Sequence, residues 1–178
     1  MPRLAWVERK FVFPDRVELY PEVIDRFRGT PARLEEKVRG LARETLICSD
    51  GGWTILQNIG HLLDLEPLWD GRLDDYLAGR PELRAADITN AATNRAPHNE
   101  RGLDELTIAF RRERERQASK LDSLPESAFS LVSVHPRLKM PLRLVDAVTF
   151  VCLHDDYHLA RIQELKRKFM ADGQAARA

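Results

Sequence analysis

The sequence predicts an all-α protein, most simply a four-helix bundle, on three observations. Apolar residues recur every three or four positions through four stretches, the period of a helix buried along one face. Proline, glycine and cap residues punctuate the chain between those stretches. No convincing run of paired strands interrupts them. A chain of 178 residues suits a single domain, taken as 1–178, and its 43% apolar residues can supply a core.

The elements follow in order. Residues 1–19 read as an irregular arm whose Phe11-Val12-Phe13-Pro14 packs on the body. A short helical piece over Pro21–Arg28 breaks at Gly29. Thr30-Pro31 then supplies a cap and a proline at the first helical position, and Leu34, Val38 and Leu41 continue the first main helix. Ser49-Asp50-Gly51-Gly52 is a turn. The second helix starts near Trp53-Thr54, carries Ile55, Ile59, Leu62, Leu63, Trp69, Leu73 and Leu77 on one stripe, and ends at Gly79-Arg80-Pro81. Pro67 falls inside it and should kink or widen the turn, because it frees the carbonyl of Leu63. Residues 80–100 are mixed and polar and read as a long ordered loop, of a length that is often functional. The third helix covers about 103–123, with Leu103, Leu106, Phe110 and Leu121 inward and an almost wholly charged middle from Arg111 to Arg116. Residues 128–140 read as a small extended segment turning at Pro136. Pro141 opens the fourth helix, which runs to about Phe169, and residues 170–178 read as a frayed tail.

Charge and cysteine content narrow the function. Lys plus Arg and Asp plus Glu both number 28, so the net charge is zero and gives no long-range attraction to nucleic acid or anionic lipid. Cys48 and Cys152 lack CxxC spacing and are expected as free thiols in a reducing, cytoplasmic setting. The charged N-terminus lacks a signal core, and no apolar run approaches the roughly 20 residues of a membrane span.

The chemistry concentrates in His154-Asp155-Asp156-Tyr157-His158. Two histidines four apart lie one helical turn apart on one face. Here that face also carries Ala147, Val151, Ile162 and Leu165, so it points inward. Buried imidazoles need partners, since an unpaired buried polar group costs a few kcal/mol. His61, at the edge of the second helix's stripe, can reach the same interior. Three neutral imidazoles with an open position make a catalytic metal site that suits zinc, nickel or ferrous iron. The plainer reading is three hydrogen-bonded core histidines. A zincin protease motif would need Glu where Asp155 stands, and no third ligand follows downstream. His98 and His135, both in loops, are candidates for a fourth ligand. Glu66 sits at the centre of the second helix's stripe and either orients a metal-bound imidazole or pairs with an arginine of another helix. Asp155 projects inward as a carboxylate near the ion or a proton acceptor.

Taken together, these residues resemble the DinB-like superfamily of metalloenzymes. The resemblance rests on Trp53-Thr54 opening a helix, His61 eight residues after that tryptophan, and His154-x-x-x-His158 on the last helix. Arg26 and Thr30-Pro31 match the family's first helix. It spans roughly residues 20–168. It implies an up-down-down-up bundle with a long crossover between helices 2 and 3, a divalent ion (often nickel or zinc) on His61, His154 and His158, and a homodimer. It further implies a metal-dependent thiol transferase, or a maleylpyruvate isomerase, acting on a small molecule such as a low-molecular-weight thiol; hydrolysis is the other reaction in play, because a bound ion acidifies water. Arg161 replaces a glutamine usual in the family. It would bind an anionic substrate group or pair with a surface acid. The alternative function is a non-catalytic, metal-stabilised bundle that binds a ligand or partner in a stress response.

Overall fold

The computed structural model describes residues 4–175, the last five by backbone alone. The first arm of the bundle is α1 (Tyr20–Arg28) followed by α2 (Thr30–Val38), and a short α3 (Arg43–Ile47) leads out of it. The second arm is α4 (Ile55–Asp64) with α5 (Glu66–Leu77). A crossover containing α6 (Ala91–Arg95) precedes α7 (Leu103–Asp122). A hairpin of β1 (Val132–His135) and β2 (Met140–Arg143) precedes α8 (Leu144–Ala175).

Contacts between the arms give their directions. Arg26 pairs with Asp156, Thr30 with Asp155, and Lys166 donates to the Lys37 carbonyl, so α1–α2 runs parallel to α8. Asn58 meets His158, and Tyr76 donates to the Leu142 carbonyl, so α4–α5 runs antiparallel to α8. Gln117 donates to Glu66, and Lys120 pairs with Asp70 and Asp74, so α7 runs parallel to α5. The order is therefore up-down-down-up. Two parallel consecutive arms demand a long return, and the crossover between α5 and α7 supplies it.

Local sequence explains the breaks. Thr54 caps α4 in a reciprocal box: its hydroxyl accepts from the Gln57 N–H at 3.1 Å, and Gln57 Oε1 accepts from the Thr54 N–H at 3.0 Å. Pro67 does more than kink the second helix. It stands in the first turn of α5, where a missing N–H costs nothing, and Leu65 separates the two helices. Thr30 does not cap α2: Gly29 is nearly helical, and the Thr30 hydroxyl donates to Asp155 at 2.9 Å.

Three expectations are corrected in detail. The stretch 80–100 is not simply a loop, since α6 and a 3-10 turn at His98–Glu100 lie in it. The extended segment is a true antiparallel hairpin, with Ser133 paired to Leu142 and Val134 to Pro141. Pro141 lies in β2 and does not open the last helix, which begins at Leu144 and runs on to Ala175. Residues 1–3 and 176–178 of the expected arm and tail lie outside the described residues. Along the arm, Phe11 and Phe13 pack on the core while Val12 between them is exposed. Among the described residues no helix is long and apolar enough to cross a membrane.

Candidate metal centre

His61 comes from α4, and His154 and His158 from successive turns of α8. All three are buried, and one ring nitrogen from each lies within 4.8 Å of the others. The Nε2 atoms of His61 and His154 are 3.4 Å apart. Two nitrogens about 2.1 Å from a zinc ion at a tetrahedral angle would stand about 3.4 Å apart, so this pair has the spacing a shared ion requires.

Hydrogen bonds set which nitrogen faces inward. Thr93 Oγ1 lies 2.8 Å from Asp64 and gives its only proton there. It must then accept from His61 Nδ1, 3.1 Å away, which leaves a lone pair on His61 Nε2. Asn58 Oδ1 accepts from His158 Nδ1 at 2.9 Å, with the same consequence for His158 Nε2. The Asn58 amide is fixed in turn by the Thr54 carbonyl at 2.7 Å. Buried His154 has no partner at Nδ1 among the described residues, so the protein alone does not satisfy this imidazole. Burial pushes His61 down to about 3, aided by His154. Burial likewise pushes His154 down to about 3, aided by Arg114 and Arg137. Neutral imidazoles are the form that coordinates a cation. The donor set, the tautomers of His61 and His158, and the spacing of the ring nitrogens fit a divalent ion.

Aromatic rings enclose the trio. Trp53 lies 4.6 Å from His61 and stacks 6.1 Å from His158, while its Nε1 donates to Asn94 at 2.9 Å. Trp6 and Trp69 turn edges to His154, at 5.1 and 5.8 Å. Tyr157 packs on Trp6, with Arg9 over its ring. The three histidines open onto a cavity of about 630 Å³. Its size suits a small molecule.

The other expected residues are placed as follows. Asp155 and Glu66 do not line this cavity. Both turn to Arg114 of α7, and all three are fully buried: Glu66 Oε1 lies 2.6 Å from Arg114 Nη2, and Asp155 also pairs with the guanidinium. This placement corrects the expectation of Asp155 as a carboxylate near the ion or a proton acceptor and of Glu66 as the partner of a metal-bound imidazole; Glu66 takes its other role, pairing with an arginine. Burial acts to lower Arg114, but Asp155 and Glu66 overcome it and hold the guanidinium charged. Burial pushes Glu66 up to about 7 against the pull of Arg114. Arg161 stands at the cavity rim, paired with Asp50 and 3.4 Å from Glu164. His98 and His135 are buried but outside the trio. His98 Nε2 lies 2.9 Å from Asp64, so it joins Thr93 in holding the carboxylate behind His61. A Cβ on Gly60 would stand 2.3 Å from the His98 ring, so glycine there lets the crossover lie against α4. His135 Nε2 is 3.1 Å from Arg72. Cys152 is a buried free thiol, pushed up to about 12 by its burial, which makes it a packing residue.

Asn58, Thr93, Asp64 and Arg114 were not anticipated. Arg114 had a signal: with Leu106, Phe110, Gln117 and Leu121 it keeps the phase of α7's buried face. Asn58 had a weaker one, as a polar residue one turn before His61 on an apolar helix.

A bundle that gathers three histidines from two helices over a large cavity has the architecture of a helical-bundle metalloprotein. The family model for the DinB superfamily matches residues 21–162, and the chain belongs to that superfamily. It is 27% identical over 151 residues to a protein of Bacillus subtilis (strain 168) described as "Putative metal-dependent hydrolase YfiT", covering 78% of this chain and 79% of that one. The solved structure of YfiT from Bacillus subtilis, described as "a probable metal-dependent hydrolase with an unusual four-helix bundle topology", superposes with a TM-score of 0.77. It is 24% identical and covers 90% of this chain and 93% of the other.

Proposed function

We propose that this protein is a metal-dependent hydrolase of small molecules, with a divalent ion held by His61, His154 and His158. The observation that carries this reading is the convergence of three buried ring nitrogens within 4.8 Å at the wall of a large cavity. The description of YfiT as a metal-dependent hydrolase supports it. Zinc and nickel suit an all-imidazole set, and ferrous iron is the next choice. When bound, such an ion polarises a substrate oxygen or sulfur and acidifies water.

The protein's own residues do the rest. Thr93 and Asn58 fix the two tautomers, and Asp64 and His98 hold Thr93 in turn. Trp6, Trp53 and Trp69 pack on the imidazoles. Asp155 and Glu66 act on the site by fixing α5, α7 and α8 through Arg114. Arg161 shapes the rim. Thiol transfer to a low-molecular-weight thiol is the second reading, since a thiolate suits a zinc or nickel ion. A cytoplasmic homodimer belongs to the same reading.

The test is metal analysis followed by a substrate screen. One equivalent of metal, lost in His158→Ala, with hydrolysis of ester or amide substrates that tracks metal content, is the expected result. Metal well below one equivalent after loading would sink the proposal. Full metal with turnover only in the presence of thiols would favour the transferase.

A further inference from the structure

The cavity wall also holds two arginines without a carboxylate. Arg72 of α5 is buried. It donates from Nε to the Arg84 carbonyl at 3.0 Å, and its Nη1 lies 3.1 Å from His135. Arg137, in the hairpin turn, is half-buried, and its Nη2 is enclosed without an acceptor. Among the described residues neither forms an ion pair. Arg114, the other strongly enclosed arginine, takes two carboxylates, and Arg84 and Arg143 each take one. Asp75, a carboxylate that acts on Arg72, is already held by Arg84 at 2.9 Å.

Two uncompensated guanidiniums on one apolar wall are costly, and burial together with Arg137 pushes Arg72 down to about 10. Their surroundings are aromatic. Arg72 lies 5.3 Å over Trp69, and Arg137 lies 5.4 Å over both Trp6 and Phe150. Trp69 and Trp6 in turn touch His154. Each guanidinium is therefore one indole away from the histidine trio. Stacking explains why an arginine can rest there, but it leaves the N–H groups at the guanidinium edge without an anion.

We infer that Arg72 and Arg137 form an anion-binding subsite, so that the substrate is a small molecule with a carboxylate or phosphoryl group on an apolar body. This rests on the hydrolase reading for the identity of the substrate, though not for binding itself. The anion docks on the guanidinium edges, where charge-assisted and bidentate hydrogen bonds are strongest. The apolar body lies along Trp6, Trp69 and Phe150, and the reactive group reaches the histidines.

The test uses the metal-free protein and three probes of one shape: phenylacetate, benzylphosphonate and neutral phenylacetamide, followed by tryptophan fluorescence. The expected result is that at least one anion binds about tenfold or more tightly than the amide. The tighter anion identifies carboxylate or phosphoryl preference. In Arg137→Gln that ratio falls toward one while amide binding stays the same, and Arg137→Lys restores part of it. Arg72→Gln acts alike if it folds, and Arg137→Gln decides the matter if it does not. Equal binding of anion and amide, a ratio unchanged in Arg137→Gln, discrimination only after metal loading, or no anion binding at millimolar concentration each overturns the subsite. Metal uptake is measured on the same samples. Discrimination without metal uptake leaves the subsite and sinks the hydrolase reading; metal uptake without discrimination does the reverse.

Discussion

Arg114→Met removes the guanidinium that two fully buried carboxylates share, and the contacts it makes set the size of the loss. Arg114 meets Glu66 at 2.6 and 3.4 Å, Asp155 through Nη1 and Nη2, and the Phe27 carbonyl at 3.1 Å. After the change Glu66 keeps Gln117 at 2.7 Å, and Asp155 keeps Thr30 at 2.9 Å. Methionine still packs on Phe27 and Phe110, whose rings lie 4.0 and 4.8 Å from the guanidinium carbon, so the loss is mainly electrostatic. One-sided removal from a buried ion network costs about 3–5 kcal/mol. The pH dependence follows from Glu66. Burial already pushes its folded pKa up to about 7, above the ordinary 4.5, and losing Arg114 raises it further. A carboxyl raised in the folded state binds a proton more tightly there than in the unfolded chain. Its stabilising effect is full below the unfolded pKa and is lost as pH rises through the folded one. A proton can thus stand in for Arg114 in acid. The deficit relative to the parent should be at least about 1 kcal/mol larger near pH 8 than near pH 6. Urea unfolding followed by circular dichroism measures both values. A loss below about 1 kcal/mol, or a deficit that grows as pH falls, refutes the reasoning.

Other changes probe the histidines directly. Asn58→Ala and Thr93→Val free a ring from its hydrogen bond and should each weaken metal binding about 10- to 100-fold, read by competition with a chelator. Glu66→Gln should lower stability yet leave metal stoichiometry unchanged; loss of metal in a folded Glu66→Gln would put that carboxylate back at the ion. His61 and His154 are pushed down to about 3 and His135 to about 4, so each binds its proton more weakly folded than unfolded. Their contribution is present above the unfolded pKa near 6.5 and is lost as pH falls below it. The metal-free protein should therefore lose about 2 kcal/mol per histidine by about pH 5 in an acid titration followed by circular dichroism. Gly60→Ala would set a methyl group against His98, and it should lower both the melting temperature and metal affinity.

The elements legible in the sequence were those with strong local periodicity. The apolar stripes of α4–α5 and α8 gave both the helices and the inward facing of His154 and His158, because one turn of helix fixes that pair whatever surrounds it. His61 was less secure, since its depth depends on how α4 rotates against α8. Thr93 could not be read at all, and His98 could be read only as a candidate ligand, not as the partner of Asp64 that it is. They sit in the crossover, and their place behind His61 is set by the close approach that Gly60 allows. The hairpin was legible only as an extended segment with a turn, because its strands are four residues each and Pro141 in β2 imitates a helix start.

The charged middle of α7 shows a different limit. Six consecutive residues from Arg111 to Arg116 look like a solvated face, yet Arg114 is completely enclosed. Composition averages over the run, whereas burial depends on phase. The partners were visible as misfits elsewhere: Glu66 in an apolar stripe and Asp155 between two inward histidines. Each invited a catalytic reading by itself. One buried cation explains both, and it moves the search for substrate-binding charge to the cavity wall. There, among the described residues, Arg72 and Arg137 lack the carboxylates that Arg114 has. A buried arginine with two acids is part of the scaffold; an enclosed arginine with none, beside an open cavity, is a place for a ligand.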